Sequence, residues 1–325
     1  MSRPQSSYRL GRVLATAMLG LALSGGGALA LDELKIIAPA SPGGGWDQTA
    51  RALQEVMQSG SIVKQVTVEN VPGAGGTVGL AQFAQKDAGN GNALLVNGLV
   101  MVGAILTNKS AVTLDQVTPI ARLTGEYEVI VVPAGSDIQT LADLVAKVKA
   151  DPGAVAWGGG SAGGTDHILA GLIGNAVGAD PAKLNYVPFS GGGEALAAIL
   201  GGHVTAGVSG YSEWAGQIQS GELRALAISS GERISGIDIP TLKEQGVDVE
   251  LANWRAVMAP PGLDDAQKAA LVATMDATVQ SEGWKKVLAD RSWLDLYLSG
   301  DAFAKFIADE NARITETLTQ IGLVQ

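Results

Sequence analysis

Apolar positions recur along this chain in two rhythms. Short apolar runs at 34–38, 66–71, 93–96, 129–132, 155–157, 186–188, 204–208, 223–229 and 253–259 have the length and the bounding residues of buried strands. Between them the spacing turns helical. Trp46, Ala50, Leu53 and Met57 share one face of a helix over 46–57, and 77–86 follows the same rule. A capping box at Thr140 and Asp143 opens a helix to Lys149, and Thr165 is read as capping one with Ile168, Leu169, Leu172 and Ile173 on its apolar face. Helices are predicted over 194–200 and 212–219, from Asp264 and Gln267 to Ser281, and over 283–290 and 301–321. Strands alternating with helices predict an α/β fold with largely parallel sheets.

The first thirty residues follow neither rhythm. Arg3, Arg9 and Arg12 precede an apolar run at 13–23, which has the length of a signal-peptide core and is short for a bilayer span. Ala28 and Ala30 supply the small-residue pattern for cleavage, so the chain is expected to be exported to the periplasm and cut after Ala30. Removing three Arg and no acid takes the net charge from −10 to −13. The remaining length suits two domains.

Composition removes several classes of function. With no Cys there is no disulfide, thiolate site or Cys nucleophile, and with His167 and His203 as the only histidines a zinc site is not expected. An acidic, aromatic-poor chain argues against nucleic acid as partner. Glycine is in excess, at 44 residues, and it is clustered.

The clusters sit where a strand passes into a helix, at 42–47, 72–77, 158–165 and 190–194. In open α/β sheets, ligands bind beyond the carboxyl ends of strands, where the next helix presents unpaired N–H groups and a positive dipole end. Glycine lets that backbone approach the ligand, and such a loop prefers an anion. The overall negative charge is largely screened beyond about 8 Å at physiological salt, so local N–H groups can prevail. Candidate ligand-binding residues are Gly43, Gly44, Gly45, Trp46 and Asp47, then Ala74, Gly75, Gly76 and Thr77, and Asn97 closing the third strand. The second half contributes Ser161, Ala162, Gly163, Thr165, His167, Ser190, Gly191, Gly192, Ser209 and Tyr211. Several of these have a plainer use: Asp47 and Glu194 can cap their own helices, Trp46 can pack, and the glycines can serve tight turns. Arg51, Arg122 and Arg255 lie near the landmarks but suit structural ion pairs.

Two rival motifs are present. Gly159 to Gly163 fits the nucleophile elbow of hydrolases around Ser161, with Asp180 and His203 following in the order of a triad. No His-Gly-Gly-Gly oxyanion motif accompanies it. Gly73, Gly75 and Gly79 approach a dinucleotide fingerprint, but the spacing is off and the next strand ends in Asn97 with no acid.

The ordered set 38–47, 68–76, 158–167, 187–193, 223–227 and 254–261 resembles the periplasmic receptors of tripartite tricarboxylate transporters. The resemblance implies a two-lobed type II periplasmic-binding-protein fold with a ligand cleft between the lobes. Lobe one is 31–126 plus 230–325, lobe two is 127–229, and a hinge of two crossovers joins them. It implies that 42–47 and 73–77 hold one carboxylate, while 161–167 and 190–193 meet the far end of the ligand. The sequence departs from the commoner family pattern at Trp46 and over 208–211; the Trp46 form, with the Gly-Glu-Tyr-Glu at 125–128, resembles the tricarboxylate-binding branch, so citrate or a similar acid is favoured. The resemblance further implies a monomer that needs no cofactor or metal, serves integral membrane subunits and is not an enzyme; a secreted serine hydrolase using Ser161 is the alternative.

Overall fold

The computed structural model describes Met1 and residues 31–324. The expected signal segment and its cut therefore lie outside the described residues, Met1 apart.

Among the described residues, ten strands and ten α-helices follow one another. The first half holds β1 (Glu33–Ala38), α1 (Gly45–Ser59), β2 (Gln65–Asn70), α2 (Thr77–Lys86), β3 (Ala93–Gly98), α3 (Leu99–Thr107), β4 (Thr118–Pro133), α4 (Leu141–Ala150), β5 (Ala156–Gly159) and α5 (Thr165–Ala176). The second holds β6 (Asn185–Pro188), α6 (Gly192–Leu200), β7 (Ala206–Gly210), α7 (Tyr211–Gln219), β8 (Leu223–Ile228), β9 (Ala252–Ala259), α8 (Asp265–Gln280), α9 (Glu282–Arg291), β10 (Leu294–Ser299) and α10 (Gly300–Gln320). Among the described residues no helix is long and apolar enough to cross a membrane.

The strand order is β2-β1-β3-β9-β4-β7-β5-β6, with β8 and β10 also paired to β4. The outer pairs β1–β2, β1–β3, β5–β6 and β5–β7 are parallel, but β9 and β4 run antiparallel to their neighbours. The sheet is thus mixed, which corrects the largely parallel expectation. The reason is that β4 and β9 lie beside each other in the middle, and each returns against the parallel set.

β4 changes partners part-way along its sixteen residues. Thr118 to Tyr127 pair with β9, while Glu128 to Pro133 pair with β7 and β8. Register shifts at Pro119/Ala121 and Arg122/Thr124 let this long strand twist without breaking. The chain passes back at Ser229, whose N–H donates to Glu128 O at 2.9 Å and whose O accepts from Leu251 N–H at 3.1 Å. The Ser229 hydroxyl adds a bond to Leu251 O at 2.6 Å, so the two passages are tied to each other.

The core is aliphatic. Ile36, Leu53, Leu80, Leu94 and Val257 are fully buried around the β1–β3–β9 part of the sheet. α10 is locked on by a polar clasp: Trp254 Nε1 donates to Glu310 Oε2 at 2.7 Å, and Arg313 pairs with the same carboxylate. A smaller cluster around Trp214, Ile199 and Val129 fills the far side of β7 and β8. Truncating Leu94 to Ala is expected to cost about 2–5 kcal/mol in urea unfolding, whereas Leu200→Ala, 45% exposed, should stay within about 0.5 kcal/mol.

Candidate functional site

A cavity of about 370 Å3 is lined from both parts of the sheet. One wall is Pro39, Ala40, Gly44, Gly45 and Trp46 with Gly73 to Gly76 and Asn108. The other is Gly160, Ser161, Ala162, Phe189 and Ser190 to Gly192. Asp166, Ser209, Glu213, Asn253 and Arg255 line it as well.

The helix starts explain this convergence. α1, α2, α5, α6 and α7 begin after Gly44, Gly76, Gly164, Gly191 and Gly210, and none of these N-caps has a side-chain capping bond. Away from the cavity, three helices are capped by side chains. Thr140 accepts from Asp143 N–H, Asp264 from Gln267 N–H and Ser281 from Trp284 N–H, opening α4, α8 and α9. The glycine-capped helices therefore bring first turns without their own side-chain caps, and positive dipole ends, to the cavity wall, although Ser212 N–H in α7 donates to Glu126 Oε2 at 3.3 Å and Thr77 N–H in α2 to Ala74 O.

Glycine is required by close approach at two of these positions. A Cβ on Gly45 would fall 2.2 Å from Arg255 Nη2, and one on Gly192 would fall 2.3 Å from Glu213 Oε2. Arg255 and Glu213 thus lie directly under the starts of α1 and α6.

These two belong to a buried ionic group. Arg255 Nη2 pairs with Glu126 Oε1 and stands 3.7 Å from Glu213 Oε1. Glu126 also accepts from Ser212 Oγ at 2.6 Å. Glu128 is fully buried near the Asp166 carboxyl, and neither of its oxygens makes a hydrogen bond of normal geometry among the described residues. Burial first, then the charges of Asp166, Glu126 and Glu213, raise Glu128 well above the carboxylate range. Burial, reinforced by Glu126 and partly offset by Arg255 and the Gly45 N–H, pushes Glu213 up to about 8. Asp166, also raised by burial and partly relieved by the Gly160 N–H, stands at about 6.

Of the residues singled out from sequence, Gly44, Gly45, Trp46, Ala74, Gly75, Gly76, Ser161, Ala162, Ser190, Gly191, Gly192 and Ser209 line the cavity. The others stand behind or beside it. Asp47 is buried and holds its own loop, accepting from Gly43 N–H at 2.8 Å and from Arg51 and Asn70. Thr77 donates to Ala74 O at 2.9 Å. Asn97 is fully buried with both side-chain polar atoms unpartnered among the described residues. Thr165 is the first residue of its helix, with Gly164 as N-cap, and its hydroxyl donates to Asn253 Oδ1 at 3.2 Å. This corrects the expectation that Thr165 caps α5: its side chain turns to β9 and leaves the helix start open. His167 Nδ1 accepts from Gly163 N–H at 3.1 Å, and its ring stacks on Tyr186 at 4.0 Å between centroids. Burial pulls His167 down to about 4, so the imidazole is neutral at neutral pH. Tyr211 begins α7 and faces another surface depression.

Asp180 and His203 do not join Ser161 at the cavity, where the hydrolase alternative requires them. His203 lies past the C-terminal end of α6, whose N-terminal end is at the cavity, so about 13 Å of helix separates it from the wall. Asp180 caps a separate turn through Ala182 N–H. Arg255, which the sequence marks only for a structural ion pair, lines the cavity with Glu213, Asp166 and Asn253, which are not among the residues singled out from sequence. The signal available is the presence of acids such as Glu126 and Glu128 within an apolar strand.

The fold is that of a periplasmic binding protein. Residues 49–323 match the tripartite tricarboxylate transporter family receptor, and the chain belongs to that family. BugT of Bordetella pertussis is 31% identical over 295 residues, 89% of either chain. The structure of the periplasmic binding protein BugD superposes with a TM-score of 0.81 at 22% identity, over 90% of this chain and 98% of that one. MatC from Rhodopseudomonas palustris, solved with bound malate, gives 0.77 at 23% identity over 88% and 98%.

A pH prediction follows from the buried acids. Asp166 and Glu213 keep protons in the folded state that the unfolded chain releases near pH 4. Their contribution to stability is fully present below that value and is lost as pH rises through about 6 and then about 8. The thermal midpoint of the ligand-free protein is expected to fall between pH 5 and pH 9, and Glu213→Gln should flatten the upper half of that fall. A midpoint that rises across this range would contradict the assignment.

Proposed function

We propose that this protein captures a small carboxylate in the periplasm and presents it to the integral membrane subunits of a tripartite tricarboxylate transporter. The observation that carries the proposal is the set of glycine-capped helix starts around one cavity, with the N-caps Gly44, Gly76, Gly191 and Gly210 in its lining. A hydrogen bond to a charged group contributes roughly 1.5–3 kcal/mol. Four or five such bonds reach the roughly 8 kcal/mol of micromolar binding, before the entropic cost of association. The bound malate of MatC supports the same ligand class here. Citrate or a related tricarboxylate is the favoured ligand, on the sequence pattern around Trp46.

The ligand's first carboxylate lies against 44–46 and 74–76, and its far end against Ser161, Ala162 and 190–192. Residues 31–126 with 230–325 form one lobe and 127–229 the other. The change of partners in β4 at Tyr127 and Glu128 supports that division. Closure about β4 and Ser229 then traps the ligand, as hinge-bending receptors do. Export on residues 1–30 delivers the chain as a monomer without cofactor, metal or catalytic role.

Thermal unfolding against citrate, tricarballylate, malate, succinate and glutamate tests this. One acid is expected to raise stability by about 2.7 kcal/mol at a hundredfold excess over its dissociation constant. Ser161→Ala should weaken that acid by about tenfold or more without lowering the ligand-free midpoint. A protein stripped of co-purified ligand that responds to none of these acids would refute the proposal.

A further inference from the structure

The cavity floor carries an unbalanced charge. Glu126 and Glu128 of β4, Asp166 of α5 and Glu213 of α7 face a single guanidinium, that of Arg255 on β9. Glu126, Glu128 and Arg255 are at most 2% exposed, and the Glu213 side chain is 10% exposed. Ionised throughout, the group would bury a net charge of about −3, a burden that is relieved only by binding protons or a cation. Among the described residues no three His, Asp or Glu side chains are arranged to hold a metal ion. The other neighbours are Trp293, whose ring centroid is 5.2 Å from the Arg255 and Arg291 guanidinium carbons, and Tyr186, whose hydroxyl donates to Gly160 O.

Two atoms in this group point to a ligand. Arg255 Nη1 is buried and has no hydrogen-bond partner among the described residues, so a donor at the cavity floor awaits an acceptor. Glu213 Oε2 is likewise buried and unpartnered, under Gly192 and beside the Ser209 hydroxyl. A protonated Glu213 would offer a second donor beside the first.

We propose that Arg255 and Glu213 form a proton-coupled subsite, in which a carboxylate group of the ligand enters together with a proton held by Glu213. The inference rests on the carboxylate reading of the cavity and specifies how an acid-lined floor admits an anion. An ionised Glu213 would repel the ligand across a buried gap and leave this subsite only the Arg255 donor. A neutral Glu213 removes the repulsion and completes the donor pair. By reciprocity, whatever the proton adds to ligand affinity, the ligand adds to proton affinity. Glu213 stands at about 8 in the empty site, so the coupling falls in the range where ligand acids are fully ionised. Above that pH, affinity should fall by about tenfold per pH unit.

Isothermal titration calorimetry of the signal-free chain with citrate and with malate tests this, at pH 6.0 and pH 8.5, with HEPES and Tris compared at the higher pH. There the heats are expected to differ between buffers by an amount corresponding to about half to one proton taken up per ligand. In Glu213→Gln the buffer dependence should vanish, and binding at pH 8.5 should become tighter than in the wild type. Should that variant not fold, the wild-type heats decide alone. Binding with equal heats in both buffers and an affinity flat from pH 6.0 to pH 8.5 would overturn the coupled subsite and leave the carboxylate reading standing. Failure of both acids to bind even at pH 6.0 would count against the carboxylate reading and remove the subsite with it.

Discussion

β4 belongs to two sets of strands at once, and most of the molecule is arranged by that constraint. Its first part pairs with β9 and β10, and its last part with β7 and β8. Strands on either side must end near the point of exchange, because neither set can continue along β4 past it. β3 and β7 end there, at Gly98 opposite Arg255 and Gly210 opposite Glu128, so the helices that follow them begin at the exchange point, whereas β9 and β10 begin there and lead their helices away. Ser229 fastens the return passage to Glu128 and Leu251, so two passages of the chain cross the exchange point with hydrogen bonds between them. Glu126, Glu128 and, across the ladder, Arg255 occupy this same stretch, which puts the buried charges beneath the helix starts.

For an acidic protein to take a carboxylate into this cavity, as proposed, it needs a local source of positive potential. Here that source is backbone: the glycine N-caps at the cavity offer no side chain to their first turns, where Ser212 N–H reaches Glu126 and Thr77 N–H reaches Ala74 O, while Thr140, Asp264 and Ser281 cap theirs elsewhere. Side-chain charge in the floor runs the other way, with four carboxyls against Arg255. Protonation reconciles the two, since burial favours the neutral acid at Glu128 and Glu213. What remains charged beside them is the Arg255–Glu126 ion pair, with Arg255 Nη1 left as an unpartnered donor among the described residues.

Much of this is legible in the sequence, for identifiable reasons. β-Branched runs and helical stripes locate most elements, and the clustered glycines locate the walls of the cavity. α3 escapes the pattern because Leu99 to Ile105 is buried on nearly every side and shows no amphipathic period. Only four residues of β4 stand out as strand, since Arg122, Thr124, Glu126 and Glu128 interrupt its apolar pattern; each of these is satisfied or buried only through tertiary partners. β10, at Leu294–Ser299, is likewise absent from the expectation: it alternates with exposed Asp295 and borders β4 at the rim. The floor of the cavity is the least legible part. Glu126, Asp166, Glu213 and Arg255 come from four elements far apart in the chain, and no spacing rule joins them. His167 and Thr165 show the converse, for the sequence locates their loop correctly while their side chains turn to Gly163 and Asn253 behind the wall.

The most direct measurement is a crystal structure of the protein grown with the acid that stabilises it most. Uncapped helix starts holding the ligand predict carboxylate oxygens within about 2.7–3.2 Å of backbone N–H groups at 44–46, 74–76 or 190–192. A ligand seated elsewhere, or held by side chains alone with those N–H groups left to water, would contradict the claim.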